Sequence, residues 1–264
     1  MAATADFERY CAEIVCQAGL LARCVRDANL SAPVPSCPGW TVGQLVRHVG
    51  GGQRWAAAMV AARSMTMLPD AHFRDLGRYT DDDPAQLSHW LTDSAAVLAG
   101  ALRAAGPDSP VFTGPIPAGT AAFYARRFTH ETAIHRADAE LALGKEFTLQ
   151  TAVALDGMDE WMELGSLPFH LDVHPRMREL LGPGRTLHFH ATDTPGEGGE
   201  WLVDLTGDAL AWRRGHEKAA VAVRGAVAEL LLVVYRRRSP RAGTVEVLGD
   251  YELLEFWLDR VSFE

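Results

Sequence analysis

The chain has 264 residues, of which 48% are hydrophobic and 22% charged, a composition typical of a soluble globular protein. Its formal net charge of −9 argues against nucleic acid as a partner, because phosphate binding needs a concentrated positive surface. No window approaches eighteen uninterrupted apolar residues, and the first residues are acidic where a signal peptide would be basic. We therefore expect a cytoplasmic protein that does not cross a membrane.

Four helices joined by Pro- and Gly-rich loops are predicted in the first half of the chain. Their apolar residues recur at helical spacing over the approximate ranges 4–28, 41–63, 84–105 and 120–143. The second helix has a well-marked start, since Thr41 and Gln44 have the spacing of a capping box. Helices of this length with short connections favour a four-helix bundle.

The second half of the chain predicts a smaller α+β domain. One further helix is expected at 151–164, followed by short β-prone segments that are separated by Gly-bearing turns. These segments, predicted to form an antiparallel sheet, are LHFHATD, EWLVDLTG, ALAWRRG, KAAVAVRG and TVEVLG. The apolar run AVAELLLVVYRR exceeds strand length and is predicted to be a helix, as is the closing segment YELLEFWLDRV. The fold class is therefore α+β, with domains at 1–148 and 149–264.

The four cysteines all lie in the first forty residues, and none of them forms a CxxC pair. This pattern indicates neither a disulfide framework nor a zinc knuckle. Cys11 and Cys24 are expected to pack as small apolar groups on the first helix. Cys37 precedes a helix N-terminus, where a thiolate can be stabilised, but no partner base is visible in the sequence and we assign it no catalytic role.

His48 lies on the predicted inner face of the second helix. At 100° per residue, an arc of about 80° contains Leu45, His48, Gly52, Trp55 and Met59. An imidazole on such a face needs a polar partner. A core histidine bonded to a backbone carbonyl is one interpretation, and a metal ligand is the other.

Glu131 and His135 share the apolar face of the fourth helix. They fall with Tyr124, Phe128 and Ala142 in an arc of about 60°. A carboxylate on a buried face is costly unless it is paired, and a spacing of four residues lets both side chains converge on one ion. The alternative is an intrahelical hydrogen-bonded pair, with His48 making a separate core contact.

Two histidines and one glutamate from facing helices form a three-ligand set, which is the stoichiometry of a catalytic zinc site with an open fourth position. The same set also describes a two-histidine, one-carboxylate iron site. We favour zinc, because nothing in the sequence suggests oxygen chemistry. Asp138, one turn beyond His135, is a candidate to orient a ligand ring, and pairing with Arg136 or with solvent is the alternative.

The remaining histidines give weaker signals. His188 and His190 alternate on one strand face, but no third ligand stands at a suitable spacing, so a solvated face is expected. His72 and His216 show no interpretable pattern. GxSxG, P-loop, GxGxxG and HExxH segments do not occur in the sequence, which excludes several common chemistries.

The segments CPGWTVGQLVRHVGG, THETAIHRADAELALG and DGMDEWMEL resemble the mycothiol-dependent maleylpyruvate isomerase family of actinobacteria. The resemblance implies a DinB-like four-helix bundle that binds a divalent metal, usually zinc, followed by a small α+β domain. It implies that the metal ligands are His48, Glu131 and His135. It also implies that an arginine of the basic segment 236–238 acts in the reaction, and we select Arg237.

The resemblance further implies that mycothiol is the cosubstrate and that its sulfur takes the open metal position, where a thiol is deprotonated. As an isomerase, the enzyme would add the thiolate to a cis double bond, allow rotation and eliminate the thiol again. As a mycothiol S-transferase, it would leave the thiol attached to a small electrophile. A non-catalytic zinc-binding thiol sensor or scaffold is the alternative of another class. The loops at 64–83 and 106–119 are predicted to border the pocket.

Overall fold

The computed structural model describes residues 2–70, 73, 83–114, 116, 119–194 and 196–261. Two compact units make up the chain, Met1–Phe147 and Thr148–Glu264. His72 and most of the predicted loop at 71–82 lie outside the described residues. Within the described ranges, no helix is long and apolar enough to cross a membrane.

The first unit contains the four long helices that the sequence predicted. They are α1 (Ala2–Val25), α2 (Val42–Ala61), α3 (Pro84–Ala105) and α4 (Ala121–Ala142). The observed helices begin and end within a few residues of the predicted limits. Their apolar stripes meet in one core, in which Leu45 and Met59 of α2 and Leu91 and Leu98 of α3 are fully buried.

The start of α2 is fixed by the predicted capping box. The Gln44 backbone N–H donates to Thr41 Oγ1 at 3.3 Å, and the Thr41 N–H donates to Gln44 Oε1 at 2.9 Å. The loop before the helix folds back on this start, since the Val34 N–H donates to the Trp40 carbonyl at 2.9 Å. The capping box and the loop together set the direction in which α2 leaves the turn.

Small residues let α2 and α3 approach closely. A Cβ atom built on Gly50 would lie 2.3 Å from Cζ3 of Trp90, so the tryptophan ring occupies the space that a side chain would need. The guanidinium groups of Arg47 and Arg54 lie over the same ring, 4.7 and 5.5 Å from its centroid. The Trp90 ring therefore packs between the backbone of α2 at Gly50 and the guanidinium groups of two arginines.

The described residues of the second unit form five short strands and helices that are shorter than those of the first unit. Its helices are α5 (Thr151–Gly165), α6 (His170–Val173), α7 (Val227–Val234) and α8 (Tyr251–Arg260). Its strands are β1 (Thr186–Ala191), β2 (Glu200–Asp204), β3 (Ala211–Arg214), β4 (Val221–Gly225) and β5 (Val245–Gly249). Short 3-10 helices lie at Pro175–Leu180, Gly196–Gly199 and Pro240–Ala242. The apolar run at 227–234 is a helix, as predicted.

The sheet of the second unit is mixed, whereas the sequence predicted an antiparallel one. Its strand order is β3-β2-β1-β4-β5, and β1 pairs with β4 in parallel while the other neighbours are antiparallel. The prediction was wrong on this point because an alternating pattern defines a strand and its faces but not the direction of its neighbour. The α+β class itself is confirmed.

We expect Gly50→Ala to lower the free energy of unfolding by about 1–3 kcal/mol, because the added methyl group collides with the Trp90 ring. The matched control is Gly100→Ala in the middle of α3, where nothing lies within 4 Å of a built Cβ atom. That change should raise stability by about 0.5–1 kcal/mol, since alanine is the better helix former. Urea unfolding followed by circular dichroism measures both. Equal effects of the two changes would contradict the close packing of α2 on α3.

Candidate metal centre

Three potential metal ligands meet between α2 and α4. His48 Nε2 lies 3.5 Å from Glu131 Oε1, and His135 Nε2 lies 3.1 Å from the same oxygen. The three atoms lie within 4.8 Å of one another, and the two imidazole rings meet edge to face with centroids 4.9 Å apart. The structure therefore brings together the three residues that the helical projections selected.

The spacing of these donors suits a small divalent cation. Tetrahedral coordination at 2.0–2.1 Å, the bond lengths that zinc makes with nitrogen and oxygen, would separate ligand atoms by about 3.3 Å. Two imidazoles and one carboxylate are ligands that zinc accepts readily, and iron accepts the same set. His48 contacts the same carboxylate oxygen as His135 does, so it is not a separate core contact. The donor set thus fits a divalent metal with three protein ligands.

Arg127 fixes the orientation of the Glu131 carboxylate. Its guanidinium donates to Glu131 Oε2, so that Oε1 faces the two imidazoles. Burial alone would raise the pKa of Glu131, but the Arg127 charge and the hydrogen bonds from His135 and His48 hold this pKa well below its ordinary value. The carboxylate is consequently in the ionised form that a metal requires. The (i, i+4) spacing of Arg127 and Glu131 was a signal for this pair that the sequence analysis missed.

Asp138 holds the opposite edge of the His135 ring. Its Oδ2 lies 2.9 Å from His135 Nδ1, and its side chain is fully buried. Arg136, the alternative partner considered for Asp138, instead donates to Glu140 at 2.9 Å. Burial would lower the pKa of His135, but its hydrogen bonds with Asp138, Cys37 and Glu131 raise this pKa well above the ordinary value. The His135 imidazole lies between the carboxylates of Asp138 and Glu131, which favour its protonated form.

The loop before α2 completes the surroundings of Asp138. Ser36 Oγ donates to Asp138 Oδ1 at 2.6 Å, and Cys37 Sγ lies 3.5 Å from Oδ2. Neither contact was predicted from the sequence, because each joins residues about one hundred positions apart and a loop has no periodicity. Cys11 and Cys24 are buried as expected, and burial raises the pKa of the Cys11 thiol to about 11.

A cavity of about 260 Å³ opens beside the three donors. His48 and Glu131 form part of its wall, and Arg127 also lines it. Its apolar surface comes from Val49, Trp55, Phe123, Tyr124 and Phe128. The predicted border loops contribute Met67, Thr113 and Gly114, while residues 71–72, 74–82, 115 and 117–118 lie outside the described part of the chain. His48 and Glu131 therefore face a space that suits a small organic molecule.

Arg237 lies in the second unit, just after α7. Its Nη1 donates to the Tyr235 carbonyl at 2.7 Å, and the guanidinium carbon lies 5.9 Å from the Tyr235 ring centroid. Its neighbour Arg236 has a positive φ of 58°, and Arg238 pairs with Glu229 at 3.1 Å. The role of Arg237 in a reaction stays a prediction.

Comparison with known proteins identifies both halves of the chain. Residues 12–140 match the family model described as the mycothiol maleylpyruvate isomerase N-terminal domain, and residues 152–256 match the corresponding C-terminal domain. Two similar solved structures are a mycothiol-dependent maleylpyruvate isomerase, at 15% identity, and a mutant of such an enzyme, at 14%. Each has a TM-score of 0.61 over 91% of this chain and 92% of the other, which at this identity shows a shared fold. No curated protein matches the chain.

We expect Ser36→Ala to lower the free energy of unfolding of the metal-free protein by about 1.5 kcal/mol, because it removes a hydrogen bond to a buried carboxylate. The matched control is Ser31→Ala in the same loop, where the side chain is exposed and the change should stay within about 0.5 kcal/mol. Urea unfolding measures both variants. A Ser36 variant as stable as the Ser31 variant would contradict the described role of the loop.

Proposed function

Because the chain belongs to the mycothiol maleylpyruvate isomerase family, we propose that it is a mycothiol-dependent enzyme whose divalent metal is held by His48, Glu131 and His135. The observation that carries the proposal is the convergence of these three donors beside a cavity of about 260 Å³. Three protein ligands leave a coordination position for a further group, as catalytic zinc sites do. We assign zinc, because the chain offers no sign of oxygen chemistry.

The metal would supply the means to deprotonate a bound thiol. A divalent cation lowers the pKa of a thiol that coordinates it, so that a thiolate is present at neutral pH without a protein cysteine. Cys37 of the loop before α2 contacts both Asp138 and His135, and we assign it no catalytic role. Mycothiol is the thiol that the family name indicates.

The side chains of this protein hold the ligands and shape the substrate space. Arg127 orients Glu131, and Asp138 orients His135, so both ligands present fixed atoms. Arg127 also brings a positive charge to the cavity wall, and Trp55 and Tyr124 add aromatic surface to the same cavity. A small electrophile that carries a carboxylate would fit this combination of cation and apolar wall. Cis-trans isomerisation of such a substrate is the reaction that we propose.

The first test of the function is His48→Ala. We expect this variant to lose one equivalent of metal and to lose turnover, because only two of the three ligands remain. Metal analysis by mass spectrometry, coupled to a mycothiol assay over a panel of electrophiles, measures both. The control is His89→Ala, which removes an exposed histidine of α3. A folded His48 variant that keeps full metal content would overturn the assignment.

The same assay separates the alternative activities. An isomerase returns the thiol, so the product accumulates while the mycothiol concentration stays constant. A mycothiol S-transferase consumes one thiol for each electrophile. A zinc-binding sensor or scaffold binds metal and thiol but transforms no member of the panel, and that outcome would contradict the enzymatic proposal.

The second test concerns Asp138. We expect Asp138→Asn to weaken metal affinity by about 10–100-fold, because the buried carboxylate that fixes His135 loses its charge. Competition with a chelator of known affinity measures the change. Asp93→Asn is the control, since Asp93 is exposed and pairs with Arg54 on the bundle surface. Equal affinities for the two variants would show that Asp138 does not support the metal ligand.

A further inference from the structure

A second group of potential metal ligands lies in the second unit, and the proposed function does not use it. The sequence predicted that His188 and His190 lie on a solvated strand face without a third ligand. That prediction was wrong for His188, which is only 5% exposed. Its Nε2 lies 2.8 Å from Oε2 of Glu200, itself 6% exposed.

The register of the sheet assembles this group. His188 and His190 are two residues apart on β1 and share one face, and Glu200 on β2 stands directly opposite His190. On the next strand Arg214 pairs with Trp201, and the Gly215 N–H continues towards the Glu200 carbonyl at 3.4 Å. Gly215 is therefore level with Glu200, and His216 follows one residue beyond it. Local sequence spacing does not reveal a site that is built by two strands and the segment after a third.

Three imidazoles converge on one carboxylate oxygen. His216 Nδ1 lies 2.5 Å from Glu200 Oε2, and His190 Nδ1 lies 3.7 Å from the same atom. One ligand atom from each of the four residues lies within 4.8 Å of all the others. Neighbouring arginines pair elsewhere, Arg214 with Asp159 and Arg224 with Glu246. The Glu200 carboxylate is thus left facing imidazoles, which become uncharged ligands when they coordinate a metal.

We propose that His188, His190, Glu200 and His216 form a second binding site for a divalent transition metal of the zinc type. Imidazole nitrogens select such metals over Mg²⁺ and Ca²⁺, which prefer oxygen ligands. Four protein donors close a tetrahedral coordination sphere, which is typical of a structural site. The buried side of the group is formed by His188 and Glu200, while the side chain of His216 is 63% exposed and leaves a route for the ion to enter.

The site would stabilise the sheet at one point. It joins β1, β2 and the segment after β3, so one ion would link three parts of the chain. Binding to the folded state alone raises the unfolding temperature in proportion to the logarithm of free metal concentration. The competing explanation is a hydrogen-bonded His–Glu network that binds no metal.

The test counts zinc equivalents in four tag-free, full-length proteins. They are the wild type, His135→Ala, the double variant His190→Gln/His216→Gln, and the variant that combines all three changes. His135 is chosen because it belongs to the group with His48 and Glu131 and also lies within ligand distance of Cys37 and Asp138, which could hold an ion with it. The double variant spares the buried His188 and Glu200, which limits the damage to folding, and circular dichroism checks each protein. His89→Gln controls for adventitious binding to an exposed histidine.

If both metal sites exist, the four proteins bind two, one, one and zero equivalents in that order. If only the second site exists, the numbers are one, one, zero and zero. The numbers one, zero, one and zero would overturn the second site while leaving the first intact. In the His135→Ala background, we expect the double change to weaken zinc affinity by at least about 100-fold.

Thermal unfolding provides an independent measurement. Zinc at about 100 times its dissociation constant should raise the unfolding temperature of the His135→Ala protein by about 5 °C. The combined variant should show no such rise. An equal rise in both proteins would mean that zinc acts elsewhere, and would contradict the proposed site.

Discussion

The site in the first unit depends on one partly buried interaction, the placement of the Glu131 carboxylate between two imidazoles and a guanidinium. A carboxylate on the inner face of a helix is stable only when positive groups surround it. Arg127 meets this need on one side, and His48 and His135 face the other. The arrangement continues outward, because His135 contacts Asp138 and Asp138 is held by Ser36 of the loop before α2. The Glu131 carboxylate is thus linked, directly or through His135 and Asp138, to residues of two helices and a loop.

The convergence of the three candidate ligands of the bundle could be predicted from the sequence, because helical periodicity gives the direction of each side chain. His48 on α2 and the Glu131–His135 pair on α4 were placed inward by counting alone, and the structure brings them together. The capping box made the α2 projection dependable by fixing where the helix begins. Ser36 and Cys37 could not be found in this way, since a loop has no repeat from which a direction follows. The family resemblance is confirmed by the two matching domain models.

In the sheet, residue spacing alone does not predict which side chains become neighbours. Alternation placed His188 and His190 on one face of β1, but the partners of that face depend on strand order and register. Glu200 becomes a neighbour through antiparallel pairing, and His216 through the continuation of β3 beyond its last paired residue. The parallel contact of β1 with β4 was unpredictable for the same reason. The sequence of one strand predicts which side chains share a face, but which strands pair, and in which register, is decided only when the whole sheet forms.

The glycines of α2 have a consequence for selectivity. At 100° per residue, Gly50 and Gly52 point in nearly opposite directions, one towards Trp90 and the other towards the cavity. Consecutive glycines weaken a helix by about 1 kcal/mol each relative to alanine, so α2 relies on its cap and its neighbours. Where Gly52 borders the cavity, the boundary is main chain, which has no rotamers. The backbone at Gly52 cannot move away by changing a rotamer, so a molecule too wide for the cavity is excluded at that point.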